Sequence, residues 1–93
     1  MKFSTENLDF NYNTINRCKN AIPLIFLHGF MSTMASWDEV VLHLDNYIIL
    51  IDLPGHGEST IKNKNYSFDL WNNDFKSLLD VLDIDEINLC GYS

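Results

Sequence analysis

The sequence has little positive charge: six Lys and Arg stand against 13 Asp and Glu, giving a formal net charge of −7 over 93 residues. So acidic a chain offers no attraction to a phosphate backbone or an anionic lipid surface, and neither nucleic acid nor a membrane is an expected partner. Cysteine is scarce as well. Cys18 lies in a polar stretch and Cys90 in an apolar one, without C-x-x-C spacing. That argues for two reduced, structural thiols and against a disulfide framework or a metal site. There is no run of 18 apolar residues, and residues 1–20 (MKFSTENLDFNYNTINRCKN) lack the apolar segment of a secretory signal. No transmembrane span is therefore expected, and the cytoplasm is the expected location. Internal repeats, low-complexity tracts and metal-ligand clusters are missing too. What remains, 46% hydrophobic and 20% charged residues, suffices for one domain or part of one.

The apolar residues that are present fall into two kinds of pattern. Leu8, Phe10 and Tyr12 alternate with Asp9, Asn11 and Asn13, the period of a half-buried strand, and residues 2–13 are expected to form an antiparallel edge hairpin. Pro23 to Leu27 and Tyr47 to Ile51 do not alternate, as in strands buried on both faces of a parallel sheet. Between them, Ser36-Trp37-Asp38-Glu39 matches a capping box, and Trp37, Val40, Val41 and Leu44 share one helical face, so a helix is expected over about 37–45. A second helix is marked by Trp71, Phe75, Leu78, Leu79 and Leu82, with Ser67 as N-cap and Asp69 in its first turn. Ile87 to Cys90 supplies a third short strand. A hairpin followed by parallel β-α-β-α-β is an α/β pattern, and ligands in such sheets sit at the carboxyl ends of the strands.

Those ends read His28-Gly29-Phe30, Asp52-Leu53-Pro54-Gly55-His56-Gly57 and Gly91-Tyr92-Ser93. The last could begin G-x-S-x-G, the elbow that holds a nucleophilic serine above a sheet, with Gly91 small because strand and helix backbones pass too close for a Cβ. A serine of this kind needs two backbone N–H groups to hold the oxyanion, one from the residue after it and one from the first strand-to-helix loop. Phe30 is the natural donor in that loop, Gly29 lets the backbone turn, and His28 is expected to brace the loop rather than act as a base. Asp52 can accept backbone N–H bonds as a brace of its own turn. Two glycines without a third do not make G-x-G-x-x-G, so phosphate binding finds no support.

In this order and spacing, the three motifs resemble the α/β-hydrolase superfamily, and the resemblance covers the whole chain. It implies that residues 1–93 are the N-terminal portion of a single α/β-hydrolase domain of roughly 200–250 residues. Ser93 is then the catalytic residue, the Phe30 N–H is an oxyanion donor, and His28, Gly29 and Gly91 support them. The triad order Ser, acid, His places the last two after Ser93, so the chain alone is expected to be inactive. Within the superfamily the combination looks most like the 2-succinyl-6-hydroxy-2,4-cyclohexadiene-1-carboxylate synthases of menaquinone biosynthesis, which implies elimination of pyruvate with the serine accepting a proton. The alternatives are a general serine hydrolase, either a carboxylesterase or a C–C bond hydrolase acting through an acyl-enzyme, and a truncated, non-catalytic chain. The partner implied is a small-molecule substrate; no cofactor and no metal are implied.

Overall fold

The computed structural model describes residues 1–92; Ser93, the expected catalytic serine, lies outside the described residues. The alternating segment becomes strand β2 (Leu8–Ile15), paired antiparallel with β1 (Lys2–Ser4) so that Phe3 faces Phe10. Leu8, Phe10 and Tyr12 are all buried, as the period of two requires. The non-alternating runs become β3 (Leu24–Leu27) and β4 (Ile48–Ile51), parallel to each other with Leu24 opposite Ile48. Every residue of β4 is buried because the strand lies between β2 and β3 and has both faces covered. A two-residue strand, β5 (Thr60–Ile61), joins β2 through Leu8 and Ile61. It was not expected, since two exposed residues carry no periodicity.

The last strand, β6 (Asn88–Gly91), runs parallel to β3 on the side away from β4, giving the order β1-β2-β4-β3-β6. This is the expected α/β architecture: an antiparallel hairpin leading into a parallel unit within one mixed sheet. β6 is half open. Among the described residues it has a partner on one side, and Leu89 remains largely exposed.

Successive residues of a strand point to opposite faces, so the parallel core divides into two layers. Ile25, Ile49 and Ile51 join Leu8, Phe10 and Tyr12 on one face, beneath helix α2 (Phe68–Val81). The predicted stripe of α2 is the face that packs: Leu78 is fully buried, Trp71, Phe75 and Leu79 lie against the same cluster, and the Trp71 ring is 5.3 Å from that of Phe10. Burying Leu78 contributes roughly 2 kcal/mol. Ser67 caps the helix, its Oγ accepting from the Leu70 N–H at 3.3 Å.

The other face, built on Phe26, Ile48 and Leu50, is covered by Val41 with Met34, Trp37 and Leu44 beside it. Here the expected helix over 37–45 is corrected. A 3-10 turn (Met34–Trp37) precedes a single turn of α-helix, α1 (Asp38–Val41), and the chain leaves α1 through further three-residue turns, Leu44 N–H bonding to Val41 C=O. The cap is Thr33, not Ser36. The cause is tertiary: the Met34 N–H donates to the Asp52 carboxylate at 2.8 Å, which fixes where coiling begins. Val40, expected on the packed face, is 44% exposed.

Candidate active site

Because β3, β4 and β6 run parallel, the three motif-bearing loops emerge at one edge of the sheet. Two hydrogen bonds tie the first two loops together, one at each end of the first loop. The Leu53 N–H donates to His28 Nε2 at 2.9 Å, and His28 Nδ1–H donates to the Gly29 carbonyl at 2.8 Å. The first partner can only donate and the second only accept, so one tautomer is specified and both ring nitrogens are occupied. His28 is thus a buried brace, as expected, with no nitrogen left for proton transfer. In return, Asp52 Oδ1 accepts from the Met34 N–H at the far end of the first loop.

Asp52 is the hub of the second loop. Its Oδ2 accepts from Asn11 Nδ2 at 2.7 Å and from the Glu58 N–H at 3.0 Å, and its backbone is bonded to Asn11 and to Ser59 Oγ. Burial opposes ionisation of this carboxyl. The Asn11 amide and the Glu58 and Met34 backbone N–H groups outweigh it and hold the group below the ordinary aspartate value. Gly57 completes the turn with φ +52, and a Cβ there would overlap the Asp52 carboxylate. This loop, the richest in titratable letters, is therefore scaffold.

The first loop is looser. The Ser32 N–H donates to the Gly29 carbonyl at 3.1 Å, closing a four-residue turn in which Met31 takes a left-handed φ of +61. Such turns favour glycine at that position, and a methionine there stores about 1 kcal/mol of backbone strain. Phe30 is 84% exposed, and its N–H has no acceptor among the described residues. An unpaired N–H at a strained turn above the strand ends is what an oxyanion donor requires.

The close approach expected at Gly91 involves the turn and helix from Ser93 onward, outside the described residues. Among the described residues a Cβ on Gly91 meets no atom within 4 Å. A Cβ on Gly29 would lie 3.1 Å from Tyr92 Cδ2. Tyr92 follows β6, its N–H donating to the Leu27 carbonyl at 3.3 Å, and so brings the third loop against the first.

Between these loops and the turn leading into α1 lies a cleft of about 370 Å³ lined by Gly29, Phe30, Ser32, Ser36, Trp37, Val40 and Tyr92. No charged side chain is among them. Neither Tyr92 nor Val40 was legible from sequence as a lining residue; the exposed position of Val40 on a short helix brings it here. A larger cavity of about 470 Å³, lined in part by Arg17, Lys19, Tyr47 and Asp83, lies at the opposite ends of the strands, remote from the motifs. Cys18 and Cys90 are both free thiols. No group of metal-ligating side chains and no helix long and apolar enough to cross a membrane occurs among the described residues.

The model of the alpha/beta hydrolase fold family matches residues 22–93, and the chain belongs to that family. Over 73 residues it is 36% identical to the dihydrolipoyllysine-residue acetyltransferase component of the acetoin cleaving system of Pseudomonas putida, covering 76% of this chain and 20% of that protein. It is 26% identical over 92 residues to 3-oxoadipate enol-lactonase 2 of Acinetobacter baylyi, covering 97% of this chain and 34% of that protein. MGS-M2, an α/β-hydrolase enzyme from a Medee basin deep-sea metagenome library, superposes with a TM-score of 0.85 at 24% identity, covering 98% of this chain and 34% of its own. The chain thus spans a fifth to a third of the length of these relatives.

Proposed function

We propose that the protein containing this chain is a serine hydrolase of carboxylic esters or lactones. The observation that carries the reading is the Phe30 N–H, free of acceptors among the described residues and set beside an uncharged cleft at the carboxyl ends of parallel strands. In this mechanism Ser93 Oγ attacks the carbonyl carbon and its proton passes to a histidine further along the chain. The oxyanion accepts from the Phe30 N–H, the histidine hands its proton to the departing oxygen so that the alcohol leaves, and water, deprotonated by the same histidine, hydrolyses the acyl-enzyme and returns the proton to the serine. Similarity to an enol-lactonase along nearly the whole chain supports hydrolysis of an ester-type bond. The synthase reading has weaker support, since the named relatives include a methyl ester esterase of Wigglesworthia glossinidia brevipalpis and an enol-lactonase. Two free thiols favour the cytoplasm as the place of reaction.

The test uses the full-length protein with a p-nitrophenyl ester and, separately, the enolpyruvyl cyclohexene substrate of the synthases. The hydrolase should release a stoichiometric burst of nitrophenol. Ser93→Ala should slow turnover by a factor on the order of 10³ or more. Pyruvate release without a burst would reinstate the synthase; indifference of both reactions to Ser93→Ala would end both readings.

A further inference from the structure

Phe30 must hold its N–H in one direction to serve an oxyanion, yet its ring is 84% exposed and the next residue sits in a strained left-handed conformation. The hydrogen bonds that tie this loop to the second one lie at its ends, at His28 and at Met34. Between them the Phe30 ring makes one aromatic contact, edge-on with His56 at a centroid distance of 5.9 Å and an interplanar angle of 75°. The His56 ring also lies 5.0 Å from that of His28. It touches the loop at its anchored start and at the donor residue.

His56 is itself held unusually firmly for a loop residue. Its N–H donates to the Leu53 carbonyl at 2.9 Å, its carbonyl accepts from the Ser59 N–H at 3.0 Å, and its Nδ1–H donates to the Pro54 carbonyl at 3.0 Å. Backbone and ring are thus both fixed to the rigid second loop. We propose that His56 is a positioning residue for the Phe30 amide: its ring is the surface against which the Phe30 ring settles, and it carries the rigidity of the Asp52 loop to the oxyanion donor. This rests on the hydrolase reading for its catalytic consequence, though not for its geometry. A flat ring pinned at one nitrogen suits the task because it offers an edge and a face with no rotamer freedom left to lose.

The full-length protein with His56→Ala, His56→Asn and His56→Phe separates the possibilities, with Ser93→Ala as the control for the hydrolase reading. A shift of the donor well below 1 Å should lower kcat on a p-nitrophenyl ester roughly tenfold in His56→Ala, with KM little changed. His56→Asn keeps a donor for Pro54 but lacks the ring, and should be as slow as His56→Ala. His56→Phe keeps the ring and should recover most of the rate. A His56→Phe enzyme as slow as His56→Ala would overturn the proposal in favour of direct chemistry at Nε2, and an unimpaired His56→Ala would overturn it outright. If Ser93→Ala shows no effect on hydrolysis, the hydrolase reading fails by itself. Amide exchange at Ser32, whose N–H closes the Phe30 turn, then decides the positioning: several-fold faster exchange in His56→Ala but not in His56→Phe upholds it, and equal rates in all variants refute it.

Discussion

The loops that follow β3 and β4 stand side by side and are built on opposite plans. The loop from Asp52 to Ser59 contains a buried carboxylate, a histidine and a serine, and the carboxylate, the serine hydroxyl and one histidine nitrogen are all committed to hydrogen bonds within the scaffold. The loop from His28 to Met34 presents one exposed phenylalanine, one strained methionine and a backbone N–H with no acceptor among the described residues. The side chains that look chemical make the rigid member, and the group we propose for chemistry is a main-chain amide on the other. A buried charge is stable only when its hydrogen bonds are satisfied, and satisfying them removes it from the reaction.

The contrast breaks most completely at Gly57. Gly57→Ala forces a Cβ into the Asp52 carboxylate and a non-glycine residue into a left-handed φ, and should destabilise the fold by on the order of 3 kcal/mol or more. Urea denaturation reads this as a lowered midpoint, and a midpoint within error of wild type would remove Asp52 from its central place.

Asp52→Asn should cost less, about 2 kcal/mol, because an NH₂ group then faces a donor that the carboxylate oxygen accepted. The penalty has a pH signature. Asp52 is held below the ordinary aspartate value in the folded state, so its charge stabilises the fold fully above about pH 4, the unfolded value. That contribution is lost as pH falls through the lower folded value. The stability gap between wild type and Asp52→Asn should therefore be widest at neutral pH and shrink on acidification, and a gap that grew in acid would contradict the assignment.

Gly29 sharpens the comparison from the looser side. Gly29→Ala sets a methyl 3.1 Å from the Tyr92 ring, and since that ring is mostly exposed and can yield, the cost should be about 1 kcal/mol. Gly91→Ala meets no atom within 4 Å among the described residues, and its melting temperature in the 93-residue chain should differ little from wild type. Differential scanning calorimetry orders the pair, and a larger loss at Gly91 than at Gly29 would contradict this order.

How far the sequence reached follows from the range of the forces involved. The alternation of Leu8, Phe10 and Tyr12, the unbroken runs at β3 and β4, and the stripe and Ser67 cap of α2 were legible because burial repeats with the period of the backbone. The strand-end positions of His28-Gly29-Phe30 and Gly91-Tyr92 followed from the same runs, while a bracing role for Asp52 came from the Asx chemistry of its turn. What only the tertiary structure decided depends on atoms distant in the chain. The Met34 N–H meets Asp52 across 18 residues and moves the start of the first helical turn from the local capping signal at Ser36 to Thr33. The Tyr92 ring lands beside Gly29, a contact that no local pattern announces. Met31 takes a left-handed conformation that its side chain disfavours, because bonds at both ends of the loop outweigh roughly 1 kcal/mol of local preference. Periodicity is written in neighbouring residues, whereas strain and close approach arise only when separate strands deliver their loops to one place.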